Sequence, residues 1–284
     1  MSSNCIWDKK PVQDGILEDE YLDVQTGLRH CRECGKPRQK QFVFNGRVWT
    51  PDIPCLCQEK VRQQAEAAVK QRDQMADISR MRISGLQDKN LLQSTFAKDL
   101  GFNASAMRKA KQYVEHWEEM KRNNAGMMLL GDTGTGKTFM AGCIANALIE
   151  KNVPVLMIPM NRLLMQLSGA SFEDKNTFLD SLNRYSLLIL DDFGSERDSD
   201  YVLEQIYNII DSRYRSRLPL IITTNWTLTD MKQPKSKQHK RINERILEMC
   251  VPVLVNDQNI REIKAKDKLC NMKQILMKES EAEA

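Results

Sequence analysis

The sequence predicts an α/β protein: a parallel sheet of five strands covered by helices, with a small cysteine-bearing module ahead of it. Three observations predict it. From residue 127 onward, apolar runs of four to six residues bounded by turns alternate with helical segments, the pattern of strands buried on both faces. A glycine-rich loop at 131–138 falls between the first of those runs and the helix that follows. Four of the eight cysteines crowd into residues 31–57.

The 284 residues suffice for one sizeable domain plus a smaller appendage. A hydrophobic fraction of 41% and a charged fraction of 28% exclude the disordered and fibrous classes. No apolar run approaches the roughly 18–20 residues needed to span a bilayer. The start, Met1-Ser2-Ser3-Asn4 and then Asp8-Lys9-Lys10, lacks the apolar core of a secretory signal, so a cytoplasmic protein without membrane contact is expected. A net charge of +4 does not by itself imply nucleic acid, but its distribution is uneven. Between positions 232 and 245 stand six Lys/Arg and one acid, Glu244, whereas the tail carries Glu279, Glu281 and Glu283. A basic stretch of this kind can touch phosphate without the whole protein being basic. A solvated loop and helix face explains it equally well.

In chain order, residues 1–57 form an N-terminal module. It contains a predicted hairpin, Gln41-Phe42-Val43-Phe44 and Val48-Trp49, turning at Asn45-Gly46. Residues 58–82 lack Gly and Pro, are rich in Gln, Ala, Lys and Arg, and predict a long exposed helix within a linker running to 103. A second helix is expected over 105–122, with Met107, Ala110, Tyr113, Val114 and Trp117 on its buried side. The core, 104–265, then places strands at 127–130, 153–158, 187–190, 220–223 and 251–255. Helices are expected over 137–151, 161–168, 174–184, 199–216 and 240–249. A final helix begins near Asn259, and 266–284 is its continuation and an acidic tail.

Gly131-Asp132-Thr133-Gly134-Thr135-Gly136-Lys137-Thr138 matches GxxxxGK[ST] in the required place between strand and helix. The glycines let backbone N–H groups converge on phosphate oxygens, and the helix N-terminus adds its positive dipole. Lys137 is the residue to reach the β- and γ-phosphates of ATP, and the Thr138 hydroxyl the one to ligate Mg²⁺. The run Leu187-Leu188-Ile189-Leu190-Asp191-Asp192 is an apolar strand ending in two carboxylates. Asp191 is assigned to Mg²⁺, and Asp192 to orienting or deprotonating the attacking water. The fourth strand ends Thr223-Thr224-Asn225, which brings an amide close to the same place. Hydrolysis also calls for positive charge on the transferring phosphoryl group, and Arg241, Arg245 and Arg261 are the candidates. Each of the three can equally be a surface ion-pair partner.

Together these residues resemble the AAA+ ATPases of the DnaC-type helicase-loader family and the similar IstB-type transposase helpers, over roughly 83–265. The most specific stretch comprises the acid strand, Phe193-Gly194-Ser195-Glu196-Arg197, Ile209-Ile210-Asp211-Ser212-Arg213-Tyr214, Pro219 and Ile222-Thr223-Thr224-Asn225. The resemblance implies that Asn225 is the sensor-1 residue and that Arg241, in Lys240-Arg241-Ile242-Asn243-Glu244-Arg245-Ile246, is an arginine finger acting on a neighbour's nucleotide. It places Arg261 at sensor 2, although the helical lid of larger members is not expected after it. It also implies a homo-oligomer when active, binding to a replicative ring helicase, and delivery of that helicase onto single-stranded DNA. Ser199 and Tyr201 follow the acid strand and are candidates for the DNA channel, with Tyr201 stacking on a base or packing against a helix. Lys232, Lys235 and Lys237 are further DNA candidates.

Cys31-x₂-Cys34 and Cys55-x-Cys57, separated by twenty residues with a hairpin, predict a tetrahedral Zn²⁺ site. His30 is a possible substitute ligand, and reduced thiols in a small core are the alternative. A module this small has little core without a metal. Some loaders of the resembled family have a similar zinc module for helicase contact. Two other functions remain in play. One is a transposase-helper ATPase of the same fold; the other is a zinc-dependent DNA-binding adaptor in which ATP is only a switch. A P-loop kinase does not suit the acid-pair strand beside Thr-Thr-Asn.

Overall fold

The computed structural model describes residues 17–86, 88–169, 171–196 and 199–281. The N-terminal residues up to Lys10 named above, with Arg197 and Glu283, lie outside the described residues. The chain divides into two compact units, Met1–Met75 and Ala76–Ala284.

The first unit is built from two antiparallel ribbons. Strands β1 (Glu20–Leu22) and β2 (Arg29–Cys31) pair with Glu20 opposite Cys31. Strands β3 (Phe42–Phe44) and β4 (Arg47–Trp49) pair with Phe42 opposite Trp49. The second ribbon is the expected hairpin, with Asn45 and Gly46 both at positive φ, as a two-residue turn requires. The first was not foreseen. Its strands are three residues long and polar, with no alternation to betray them. Apolar burial is scant here, and polar contacts replace it. The Arg38 guanidinium, 4% exposed, donates to Asp19 at 2.9 Å and to Glu20 at 3.1 Å, and Arg32 Nε donates to the Glu20 carbonyl at 2.7 Å.

Helix α1 (Leu56–Gly85) runs across the division between the units. Its last residue is Gly85, where only glycine fits: a Cβ there would lie 2.0 Å from the Val155 carbonyl oxygen. The second unit continues with α2 (Ala104–Glu115) and α3 (Trp117–Arg122). The sequence predicted one helix over 105–122; the structure breaks it at His116, whose φ of −99° and ψ of 28° are not helical. Then follow β5 (Gly126–Leu130), α4 (Lys137–Glu150), β6 (Val155–Pro159), α5 (Met160–Leu167), α6 (Phe172–Leu182) and β7 (Leu187–Phe193). The chain goes on through α7 (Asp200–Arg215), β8 (Leu220–Thr224), α8 (Leu228–Lys232), α9 (Lys237–Met249), β9 (Cys250–Leu254) and α10 (Ile260–Glu281).

The sheet is parallel throughout, in the order β6-β7-β8-β5-β9. Successive side chains of a strand point to opposite faces, and the core divides accordingly. Met127, Leu129, Met157, Ile189 and Ile221 pack with α2 and α4 on one face. Met128, Leu130, Ile158, Leu190 and Ile222 pack with α5, α7 and α9 on the other. Strand β9 is the edge, which accommodates Pro252 and leaves Val251 and Leu254 exposed. At the centre β5 and β8 come so close that a Cβ on Gly126 would lie 1.9 Å from the Leu220 carbonyl oxygen. Among the described residues no helix is long and apolar enough to cross a membrane.

Candidate nucleotide site and cysteine centre

The loop between β5 and α4 owes its shape to backbone angles that only glycine adopts freely. Gly134 and Gly136 have φ of 88° and 103°. At Gly134 there is no room either, since a Cβ would lie 2.1 Å from Asn259 Oδ1. The loop is fastened from several sides. Asn103 Nδ2 donates to the Thr135 carbonyl at 2.9 Å, the Thr135 hydroxyl donates to the Asp132 carbonyl at 2.9 Å, and the Arg261 N–H donates to the Gly134 carbonyl at 3.4 Å.

The parallel sheet brings the ends of β5, β7 and β8 together, and the candidate residues meet there. The Lys137 ammonium donates to the carbonyls of Gly131 and Asp132 and to Asn225 Oδ1, each at 2.7 Å. Phosphate oxygens entering the loop compete for these three protons. The Thr138 hydroxyl donates to Asp191 Oδ1 at 2.9 Å. Thr223, on the neighbouring strand, joins the two acids: its hydroxyl donates to Asp191 Oδ1 at 2.6 Å and accepts the Asp192 N–H at 2.9 Å. Register slips between Leu190 and Phe193, and Asp192 sits at φ 57°, a left-handed angle that Asp tolerates better than most residues. The slip turns consecutive carboxylates to different jobs, one half-buried against Thr138 and one exposed. Burial raises the Asp191 carboxyl above its ordinary pKa; the Thr223 and Thr138 hydroxyls oppose this, and the charge of Asp192 adds to it. Burial likewise lowers the Lys137 ammonium, against the pull of Asp192, Asp132 and Asp191. The oxygen donors of Thr138 and Asp191, side by side, suit a hard cation such as Mg²⁺.

In the first unit, the ligating atoms of Cys31, Cys34, Cys55 and Cys57 all lie within 4.8 Å of one another. Bonds of about 2.3 Å in a tetrahedron space four sulfurs about 3.8 Å apart, so this set fits Zn²⁺. Burial would raise the Cys31 thiol, but the N–H groups of Cys34 and Glu33 and the neighbouring sulfurs bring it to about 6. Its neighbour Cys57 is pushed the other way, to about 12, first by its bond with Cys34. Thiols this close cannot all ionise unless a cation holds them. Arg38 Nη2 donates to the Cys31 sulfur at 3.5 Å and adds positive charge. His30 is not a fifth candidate. It alternates with Cys31 along β2, and its Nδ1 lies 3.0 Å from the Gly35 carbonyl.

Residues 58–268 match the family described as IstB-like ATP binding protein. The chain belongs to that family. Over 150 residues it is 31% identical to the replicative helicase loader DnaC of Escherichia coli (strain K12), covering 51% of this chain and 56% of that protein. It thus spans about half the length of the DnaC relative it matches. It is 25% identical over 278 residues to the replicative helicase loader DnaI of Bacillus subtilis (strain 168), covering 89% of this chain and 85% of that one. A crystal structure of DnaI superposes with a TM-score of 0.51 at 26% identity, covering 61% of this chain and 93% of that chain.

In this IstB-like ATP-binding chain the other candidates fall in different places. Arg241 is exposed on α9 with no ion-pair partner among the described residues. Arg245 is engaged: it pairs with Asp211 and lies over the rings of Tyr207 and Tyr214, 4.6 and 5.4 Å from their centroids. These contacts engage its guanidinium within its own chain. The Arg261 backbone touches the phosphate loop, while its side chain is exposed. Lys232, Lys235 and Lys237 are exposed around the start of α9. The Ser199 hydroxyl caps α7, accepting the Val202 N–H at 3.3 Å. Tyr201 is 43% exposed, its hydroxyl donating to the Leu167 carbonyl and Lys175 Nζ lying 5.1 Å from its ring centroid.

Three site residues escaped the sequence reading. Thr223 had a signal, its place two residues before Asn225. Asn103 had a weaker one, an Asn just ahead of a predicted helix; in the structure it sits at φ 56° and also accepts the Asp257 N–H at 3.1 Å. Arg38 had none, because its role depends on which cysteine it touches.

Proposed function

We propose that the chain is an ATP-hydrolysing loader that binds a ring-shaped replicative helicase and places it on single-stranded DNA. The observation that carries this reading is the reach of the likeness to DnaI. A stretch covering 89% of the chain takes in Cys34, Cys55 and Cys57 wherever it begins, whereas the family match starts at residue 58, after the cysteines. A transposase helper shares the ATP site but gives no reason for the cysteine centre, and so ranks second.

In this reading the backbone of 131–138 and the Lys137 ammonium bind the ATP phosphates. Thr138 and Asp191 hold Mg²⁺, which neutralises phosphate charge when bound. The Asp192 carboxylate takes a proton from a water whose oxygen bonds to the γ-phosphorus as the bond to the β-phosphate oxygen breaks, leaving ADP. Asn225, bonded to Lys137, orients the reacting group. Arg241 of one subunit completes the site of the next. The four cysteines hold Zn²⁺ and shape the surface that meets the helicase. Tyr201, Lys232, Lys235 and Lys237 contact DNA, and Ser199 does so from a helix cap.

The test is ATPase activity with single-stranded DNA and a replicative helicase. Lys137→Ala abolishes nucleotide binding, and Arg241→Ala retains binding while losing about 10³-fold or more in rate. Full activity in Arg241→Ala removes the shared site, and absence of any nucleotide-dependent helicase capture removes the loader.

A further inference from the structure

Trp226 stands between the nucleotide site and α9. It follows Asn225, the amide bonded to Lys137. Its N–H donates to the Thr224 hydroxyl at 3.1 Å, and that hydroxyl donates to the Phe193 carbonyl at 2.7 Å. The indole meets Phe193 edge-on, with centroids 5.7 Å apart. It also lies against the backbone of Gly194, where a Cβ would come within 2.5 Å of the ring. Phe193 and Gly194 are the two residues after Asp192, so one residue links the ends of β7 and β8.

The other side of the indole faces α9. The ring of His239 lies 6.4 Å away by centroid, tilted by 41°. His239 is buried in the first turn of that helix, its Nδ1 2.9 Å from the hydroxyl of the capping Ser236. Arg241 is two residues further along, exposed. Beside the indole is a cavity of about 90 Å³, lined among others by Glu196, Lys235 and Asn243. Glu196 Oε1 and Asn243 Oδ1 are buried there without hydrogen-bond partners. Well-packed interiors leave few such spaces and few such atoms. The ring meets both the end of β7 and the first turn of α9, and the cavity beside it leaves it room to move between them.

We infer that Trp226 is a positioning residue that links nucleotide engagement at Asn225 to the placement of Arg241 for the neighbouring subunit. The inference rests on the shared site proposed above. Phosphate that draws Lys137 and Asn225 shifts the indole, and the indole shifts the first turn of α9.

The test uses full-length chains, alone and co-expressed in pairs. Trp226→Leu keeps its affinity for ATP within about twofold, while kcat falls about tenfold or more. Trp226→Phe, which keeps a ring, recovers most of that rate. Paired with Asp192→Asn, which binds ATP and supplies an intact Arg241, Trp226→Leu subunits regain activity several-fold above either protein alone. Arg241→Ala paired with Asp192→Asn is the reference. Recovery in the reference but not with Trp226→Leu overturns the inference and leaves the shared site standing. Recovery in neither removes the shared site and the inference with it. An unchanged rate in Trp226→Leu alone also overturns it. Should Trp226→Leu fail to bind ATP, His239→Ala breaks the same contact from the helix side and is read by the same criteria.

Discussion

Arg213 is fully buried, and among the described residues no carboxylate pairs with it. Its two terminal nitrogens instead donate to the carbonyls of Leu182, Tyr185, Ser186 and Pro219, between 2.8 and 3.3 Å. Burial lowers its pKa to about 10, so it remains charged at neutral pH. This one group ties together four carbonyls from the end of α6 and the approaches to β7 and β8. Arg213→Met removes these donors, leaving the Leu182 and Pro219 carbonyls only the Tyr185 and Leu188 N–H groups at 3.3 and 3.4 Å, and costs about 3–5 kcal/mol, read by denaturant titration. Glu196 behaves oppositely. Burial raises its pKa above the ordinary 4.5, so the folded protein holds that proton more tightly than the unfolded chain does. Stability therefore falls as pH rises through 4.5 and levels once the folded group has ionised. Glu196→Gln removes that loss: it melts higher than the parent at pH 7 and together with it near pH 4, in a thermal scan at each pH. Residue identity was legible for Lys137, Thr138, Asp191 and Asn225, because spacing and strand ends reveal them. The positive φ of Asp192 and the hydroxyl bridge from Thr223 were not, because both arise from a register slip between two strands far apart in sequence.

Among elements, those of the second unit were the most legible. Each strand from β5 to β9 is an apolar run closed by a turn, and burial on both faces of the sheet writes itself directly into composition. The ribbon β1–β2 left no such trace, since it is held by Arg38, Asp19 and Glu20 and not by an apolar face. The four cysteines close the stretch 31–57 that contains the second ribbon, so a metal held there would tie the module together. Metal analysis should find about one zinc per chain. Chelation unfolds the first unit, seen as new exchange of the Arg38 and Cys31 amides, while ATP affinity at the 131–138 loop is unchanged. A metal-free protein with those amides protected rules the zinc centre out. The helix break at His116 was hidden because the apolar spacing of Tyr113, Val114 and Trp117 continues through it.

At the level of the whole molecule, charge is the guide. The modest net charge of +4 conceals the basic run that ends in α9. Replacing Lys232, Lys235 and Lys237 by Gln weakens single-stranded DNA binding and flattens its dependence on salt, by about 0.7 in log–log slope for each phosphate no longer neutralised. An unchanged slope returns these lysines to the role of solvated surface. ATPase rate per chain rises with protein concentration if sites are completed by neighbours, a dependence that a self-contained site does not show.

The β3–β4 hairpin affects how such a concentration series is read. Phe42, Val43, Phe44, Val48 and Trp49 are between 45% and 68% exposed, on a ribbon that pairs with no third strand among the described residues. Ribbons of this composition stick to one another edge to edge as a sample is concentrated. Such clumping is indifferent to nucleotide and is relieved by a single charge, as in Phe44→Lys. Light scattering that survives removal of ATP but not this substitution reports adhesive hairpins, and only what remains counts towards sites completed by a neighbouring subunit.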